Sequence, residues 1–117
     1  MIVERRKYYH EMIKRDRLMP IIVEGRFAGM ITFYLTDNEI ELDNIDSWEI
    51  LEDNPKGKVV SVRQMVTDFN LYNSKFSFKT LKNFITYLKN KFPQVKYIHW
   101  RRWNKKNNII KVYKKEI

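Results

Sequence analysis

The sequence predicts an α+β fold: a mixed, mostly antiparallel sheet with a central strand–helix–strand crossover. Three stretches predict it. Residues 58–69 (KVVSVRQMVTDF) are rich in β-branched side chains and contain no Gly or Pro, the composition of a strand. Residues 77–92 place Phe78, Leu81, Phe84, Ile85, Leu88 and Phe92 at helical spacing, with Lys79, Lys82, Asn83, Lys89 and Asn90 largely on the other side. Residues 95–103 (VKYIHWRRW) are again strand-like. A connection this long joins parallel strands through a crossover. The other strand-like stretches are separated by short turns, which makes them antiparallel neighbours.

The chain has 117 residues, which suits one domain with one core. Its 23 Lys and Arg against 14 Asp and Glu leave a formal net charge of +9. That balance favours polyanionic partners such as nucleic acid, a CoA-type cofactor or an anionic surface. A lysine-rich surface also serves solubility alone. With no cysteine, disulfides and thiolate metal sites are excluded. No apolar run is long enough to span a bilayer. The opening MIVERRKYYHEM has charges where a secretion signal needs its apolar stretch. Together these point to a cytoplasmic protein with no membrane partner. His10 has no second ligand at metal-binding spacing and reads as a surface residue; no metal is expected.

Each element has its own justification. Residues 5–19 form a helix with Tyr9, Met12, Ile13 and Met19 recurring at near-helical spacing, and Pro20 is expected to stop it. Residues 21–35 read as a hairpin: Ile21, Ile22 and Val23, a turn at Glu24, Gly25 and Arg26, then a strand to Leu35. Gly29 within that strand marks a bulge or a close packing contact. Residues 38–43 (NEIELD) alternate, with Ile40 and Leu42 on one face and Glu39, Glu41 and Asp43 on the other. Residues 44–57 are the longest irregular stretch, pinned by Trp48, Ile50 and Leu51. There Glu49, Glu52 and Asp53 form a carboxylate cluster able to take a basic substrate or a cation, without the spacing of a calcium loop.

Residues 58–69 carry apolar side chains on both faces, as in a strand covered on both sides. Strict alternation puts Val60, Val62, Gln64, Val66 and Asp68 on one face. Val59, Ser61, Arg63, Met65, Thr67 and Phe69 then share the other. Burying the apolar side of the helix contributes on the order of 10 kcal/mol before chain entropy is subtracted, so its aromatic stripe is core. Pro93 ends that helix. Residues 104–107 make a turn, and residues 109–115 a last strand. This hairpin interleaves Arg101, Arg102, Lys105 and Lys106 with Tyr97, Trp100, Trp103 and Tyr113. Such a pattern stacks bases and neutralises phosphates, or protects an exposed sheet edge.

From Pro20 onward the order of elements resembles the GNAT superfamily of acyl-CoA-dependent N-acyltransferases. IIVEGRFAGMITFYL resembles their paired strands, and KVVSVRQMVTDF the central strand whose backbone contacts pantetheine. FKTLKNFITYLKNKFPQVKYIHW resembles the following helix and the parallel strand that splays away. Small phage or prophage proteins with this fold are similarly short. The resemblance implies acetyl-CoA or another acyl-CoA as cofactor and an amine as acceptor. It implies cofactor contacts at Met65, Val66 and Thr67, and phosphate contacts at Ser74, Lys75 and Ser77. It also implies a general base for the amine, with Asp68, Glu41 and Glu52 as candidates, and a tyrosine that protonates the leaving thiolate, with Tyr72 and Tyr113 as candidates.

The sequence departs from the family at two points. The helix entrance has Leu71-Tyr72-Asn73-Ser74-Lys75-Phe76-Ser77 and no glycine, where the family's glycines let backbone N–H groups approach the pyrophosphate. There is no room between Trp103 and Ile109 for the family's next helix. An alternative function follows: an inactive GNAT-like binding module whose basic C-terminal hairpin contacts nucleic acid or an acidic protein through Arg101, Arg102, Lys105 and Lys106.

Overall fold

The computed structural model describes residues 2–37, 48, 50–67, 78–104 and 109–117. The side chains of residues 2, 3, 66, 67, 78, 79, 101–104 and 109–112 lie outside that description. Its elements are α1 (Ile2–Lys14), β1 (Leu18–Val23), β2 (Arg26–Thr36), β3 (Val59–Thr67), α2 (Phe78–Lys91), β4 (Tyr97–Asn104) and β5 (Ile109–Glu116). The strands form one sheet in the order β1-β2-β3-β4-β5. All neighbours are antiparallel except β3 and β4, which are parallel across the α2 crossover. This is the mixed, mostly antiparallel α+β sheet that the sequence predicts. The expected strand at 38–43 lies outside the described residues.

The first helix ends earlier than its sequence pattern suggests. Pro20 does not terminate it; Asp16 does. Asp16 takes a left-handed φ of 61°. Its N–H bonds the carbonyl of Ile13 at 3.0 Å, and the Arg17 N–H bonds the carbonyl of Met12 at 2.7 Å. That pair of bonds is a Schellman cap. Residues 17–19 are thereby released to enter β1. Pro20 sits within that strand at the sheet edge, where a missing N–H costs no ladder bond.

Glu24 and Gly25, with φ of 49° and 77°, make a two-residue turn of the type whose twist matches a hairpin. The pairing of β1 with β2 then shifts, because Ile21 faces Gly29 while Ile22 faces Phe27. Ala28 is the extra residue, so the bulge expected near Gly29 is present.

The sheet is covered on both faces. On one side Ile31, Phe33, Leu35, Val60 and Ile98 pack against Phe84 and Leu88 of α2. Phe33 meets Phe84 edge-to-face at 5.5 Å. On the other side Tyr8 and Met12 of α1 pack on Tyr34, with Tyr9, Leu18, Trp48 and Leu51 around them. Trp48 and Leu51 thus pin the irregular segment to the core as expected, whereas Ile50 is exposed.

That segment is fastened by Asp53. Its carboxylate accepts from Arg17 Nε at 3.0 Å and Nη2 at 2.9 Å, and from the Leu35 N–H at 2.8 Å. Both charged side chains are 7% exposed, and the guanidinium also lies 5.0 Å from the centre of the Phe92 ring. Asp53 is therefore a structural anchor rather than part of a substrate cluster. Glu52 is exposed, and among the described residues no group of three or more His, Cys, Asp or Glu is placed to hold a metal ion.

Two outcomes follow for stability. Asp53→Ala leaves Arg17 buried without its carboxylate and should cost about 3–5 kcal/mol in urea unfolding, much of it recovered by removing the arginine as well. A Cβ at Gly57 would lie 2.5 Å from the Thr36 carbonyl oxygen and 2.6 Å from its nitrogen. Gly57→Ala should therefore lower the unfolding free energy by about 1–3 kcal/mol, since the atoms it meets are backbone and cannot rotate away.

Candidate functional site

The parallel strands β3 and β4 pair only at Val59–Tyr97, Val60–Ile98 and Ser61–His99. β3 runs on to Thr67 and β4 to Asn104, so the two part beyond Ser61 and His99. Next to that vertex β3 is bulged. Thr32 of β2 faces Gln64 and Phe33 faces Val62, leaving Arg63 as the extra residue. A bulge bends its strand and raises the local twist, which turns β3 away from β4.

The bulge also corrects the strict alternation read from the sequence. Val60 and Val62 point to α2, and beyond Arg63 the parity reverses. Met65, opposite Ile31, returns to the α2 side, where alternation had placed it with Ser61 on the opposite face. Gln64, opposite Thr32, belongs to the α1 side for the same reason.

On the α2 side a void of about 20 Å³ lies between the helix and the sheet, lined by Ile31 of β2, Val62 and Met65 of β3, Ile98 and Trp100 of β4, and Leu81 and Phe84 of α2. Trp100 stacks on Tyr113 with ring centres 5.5 Å apart and planes 15° from parallel. Met65 is 38% exposed. Side chains thus fill most of the vertex.

On the α1 side β2, β3 and β4 present buried polar groups. Thr32, Ser61, Arg63 and His99 are all buried, alongside Tyr8. The Tyr8 and Thr32 hydroxyls share a hydrogen bond of 2.6 Å, and the Gln64 N–H donates to Thr32 Oγ1 at 3.2 Å. Ser61 Oγ has no hydrogen-bond partner among the described residues. Burial pushes the Tyr8 phenol well above its ordinary value, against the opposing pull of the Thr32 bond and the nearby Arg63 charge. Burial also raises Tyr34, whose hydroxyl accepts from the Leu51 N–H at 3.0 Å.

Of the residues singled out from the sequence, Met65 and Tyr113 are brought to the parting, Tyr113 through its stack on Trp100. Val66 and Thr67 continue β3 opposite Met30 and Gly29. Arg101 and Arg102 lie in β4 opposite Val112 and Lys111. Asp68, Glu41, Tyr72, Ser74, Lys75, Ser77, Lys105 and Lys106 lie outside the described residues. Glu52 is elsewhere, around a shallow hollow with Arg15, Arg17, Asp53 and Pro55. Ser61, Arg63 and His99 carried no motif in the sequence. Their only signal was polar residues alternating with valine and isoleucine in strands expected to be covered on both faces.

A roomier groove of about 570 Å³ runs along β1, between Ile21–Glu24 and the Thr80, Asn83 and Tyr87 ridge of α2. It lies along the β1 edge of the sheet, while the parting lies between β3 and β4, and Glu24 is its one ionisable carboxylate. Volume alone does not make it the site; convergence of polar groups at a strand junction is the stronger indication.

No family model matches the sequence, and no curated protein is similar to it. Solved structures are similar in fold. The GphF GNAT-like decarboxylase in complex with isobutyryl-CoA superposes with a TM-score of 0.64 at 14% identity, over 86% of this chain and 53% of that one. The loading GNATL domain of CurA from Lyngbya majuscula gives 0.63 at 19% identity, over 84% of this chain and 50% of that one. The fold is GNAT-like. The chain spans about half the length of these two structures.

The polar side makes a testable statement about pH. An unfolded tyrosine ionises near pH 10, whereas folded Tyr8 keeps its proton to higher pH. The folded state therefore binds more protons than the unfolded one above about pH 10, and stability falls as pH rises past that point. The melting temperature should drop above about pH 10, and the drop should be shallower in Tyr8→Phe.

Proposed function

We propose that this protein binds an acyl-CoA thioester in the parting between β3 and β4 and transfers the acyl group to an amine. The observation that carries this reading is the end of parallel pairing at Ser61 and His99, with an apolar wall on the α2 side and buried polar groups on the α1 side. The GNAT-like fold is shared with a protein solved with isobutyryl-CoA, which supports the choice of ligand.

Beyond the vertex β3 carries its main-chain groups on to Thr67, past the last residue in register with β4. The amides of a pantetheine arm bond to such groups much as an added strand does. Met65, Val66 and Thr67 line that stretch. Ser74, Lys75 and Ser77 are proposed to hold the phosphates.

In the reaction the amine nitrogen attacks the thioester carbonyl carbon. A C–N bond forms, the C–S bond breaks, and the thiolate leaves as CoA. The amine gives up one proton and the thiolate takes one. His99, buried at the vertex on the α1 side, is proposed as a base for the amine. Asp68 and Glu41 are proposed for the same step, and Tyr72 or Tyr113 for protonation of the thiolate.

The basic hairpin supports a second reading as a nucleic-acid or acidic-protein contact. Its described aromatics are engaged within the fold, Trp100 on Tyr113 and Tyr97 beneath Lys114 at 4.6 Å, which favours an edge role over base stacking.

Acetyl-CoA or isobutyryl-CoA should raise the melting temperature by several degrees, and Lys75→Glu should remove most of the rise. His99→Ala should keep binding but lose turnover with an amine acceptor. Absence of calorimetric binding to every CoA thioester tried would sink the proposal. Salt-sensitive retention of nucleic acid, lost on charge reversal at Arg101, Arg102, Lys105 and Lys106, would favour the second reading instead.

A further inference from the structure

We infer that the α1 side of the molecule is a docking surface for an anionic lipid bilayer. Ile13, Ile22 and Phe27 enter the interface, and a row of cations meets the headgroups. Among the described residues these three are the most exposed large apolar side chains, at 64%, 57% and 55%. All three lie on one side of the sheet. Ile22 and Phe27 are directly opposite each other in the β1–β2 register, so they share a face. Ile21 and Val23, on either side of Ile22, pack in the α2 cluster, so alternation turns Ile22 to the α1 side. Leu18, on that same face, packs in the α1 cluster, whereas Ile22 and Phe27 stay exposed.

The helix supplies the charge. Tyr8 and Met12 are buried against the sheet, which turns Arg6, Lys7, His10, Ile13 and Lys14 outward at spacings of three and four. No carboxylate falls among them. Glu4 stands one turn before Tyr8 on the sheet-facing side, and Glu11 is paired with Arg15. At the hairpin, exposed Glu24 and Arg26 offset each other. A nucleic-acid backbone would meet the helix cations and leave Ile22 and Phe27 in water. A second copy would bring together two chains of net charge +9. An anionic bilayer takes both kinds of group, since its phosphates lie outermost and its acyl chains beneath. The anchors also sit on protruding elements: the outward helix face, and a turn where a Cβ on Gly25 would meet nothing within 4 Å. Protrusions enter a soft surface without needing a matching cavity. The expectation of no membrane partner follows from the lack of a spanning run. No described helix is long and apolar enough to cross a membrane, but lying on a surface requires no such helix.

The test is co-sedimentation of the full chain with two kinds of vesicle, phosphatidylcholine alone and phosphatidylcholine mixed equally with phosphatidylglycerol, with no CoA thioester present. The protein should sediment with the mixed vesicles and stay in solution with the neutral ones. The double variant Ile22→Ser, Phe27→Ser should bind the mixed vesicles at least about tenfold more weakly. Arg6→Gln and Lys14→Gln should each lower binding about fivefold. All four positions are exposed, and the melting temperature of each variant verifies that it is folded. No sedimentation with the mixed vesicles, or equal sedimentation with both kinds, would overturn the inference. Binding left unchanged by Ile22→Ser, Phe27→Ser would overturn it as well, because charge alone then makes the contact. A DNA duplex retained with the same dependence on Arg6 and Lys14 would in that case assign the face to nucleic acid. Each of these outcomes leaves the acyl-CoA reading where it stands.

Discussion

The rest of the structure depends on the bulge at Arg63. It inserts one residue into β3 while β3 remains paired to β2, so the bend must be taken up on the free side, towards β4. Parallel pairing stops at Ser61 and His99, two residues before the bulge. The same insertion reverses which side chains face each helix. Without it, Met65 would point to the α1 side and the α2 wall of the parting would lose a member. One extra residue thus sets both the opening of the strands and the chemistry of its two sides.

Covering β3 on both faces lets those sides differ. The α2 face is closed by a tightly packed cluster, and its apolar continuity reaches the vertex through Ile98 and Trp100. The α1 face accepts polar groups because partners come with them. Tyr8 from α1 bonds Thr32, Thr32 takes the Gln64 N–H, and Tyr34 takes the Leu51 N–H. Buried polar groups are tolerable when they are bonded in this way and costly when they are not. Ser61 Oγ, fully buried with no partner among the described residues, is a departure from that rule, and it sits at the vertex.

The supports of the site are remote from it in sequence. Arg17 and Asp53 are 36 residues apart, yet their pairing joins the end of α1, the irregular segment and β2 through the Leu35 N–H. This holds α1 against the polar side of the sheet. The low identity to GNAT-like structures, 14% and 19%, is understandable on this basis. What fixes such a fold is strand order, a crossover and cover on both faces of the sheet, and many side-chain sets satisfy that.

Periodicity alone determined most of the fold. The apolar stripe from Leu81 to Phe92 specified α2, since only a helix brings those positions to one side. The β-branched run specified β3, the alternation of Ile98 and Trp100 with Tyr97 and His99 specified β4, and the length of the connection made them parallel. Gly25 marked its turn because that turn requires positive φ. Other features were decided only in three dimensions. Asp16 ended α1 ahead of Pro20, because a left-handed cap closed by backbone bonds to Met12 and Ile13 formed there, and Asp is only weakly biased towards that conformation. Asp53 became an anchor because Arg17 arrives from a distant segment. Ser61 and His99 became neighbours because a parallel register aligned them. The bulge at Arg63 was invisible in a strand with no glycine or proline, since it arises from how β3 must meet β2 and is no property of β3 by itself.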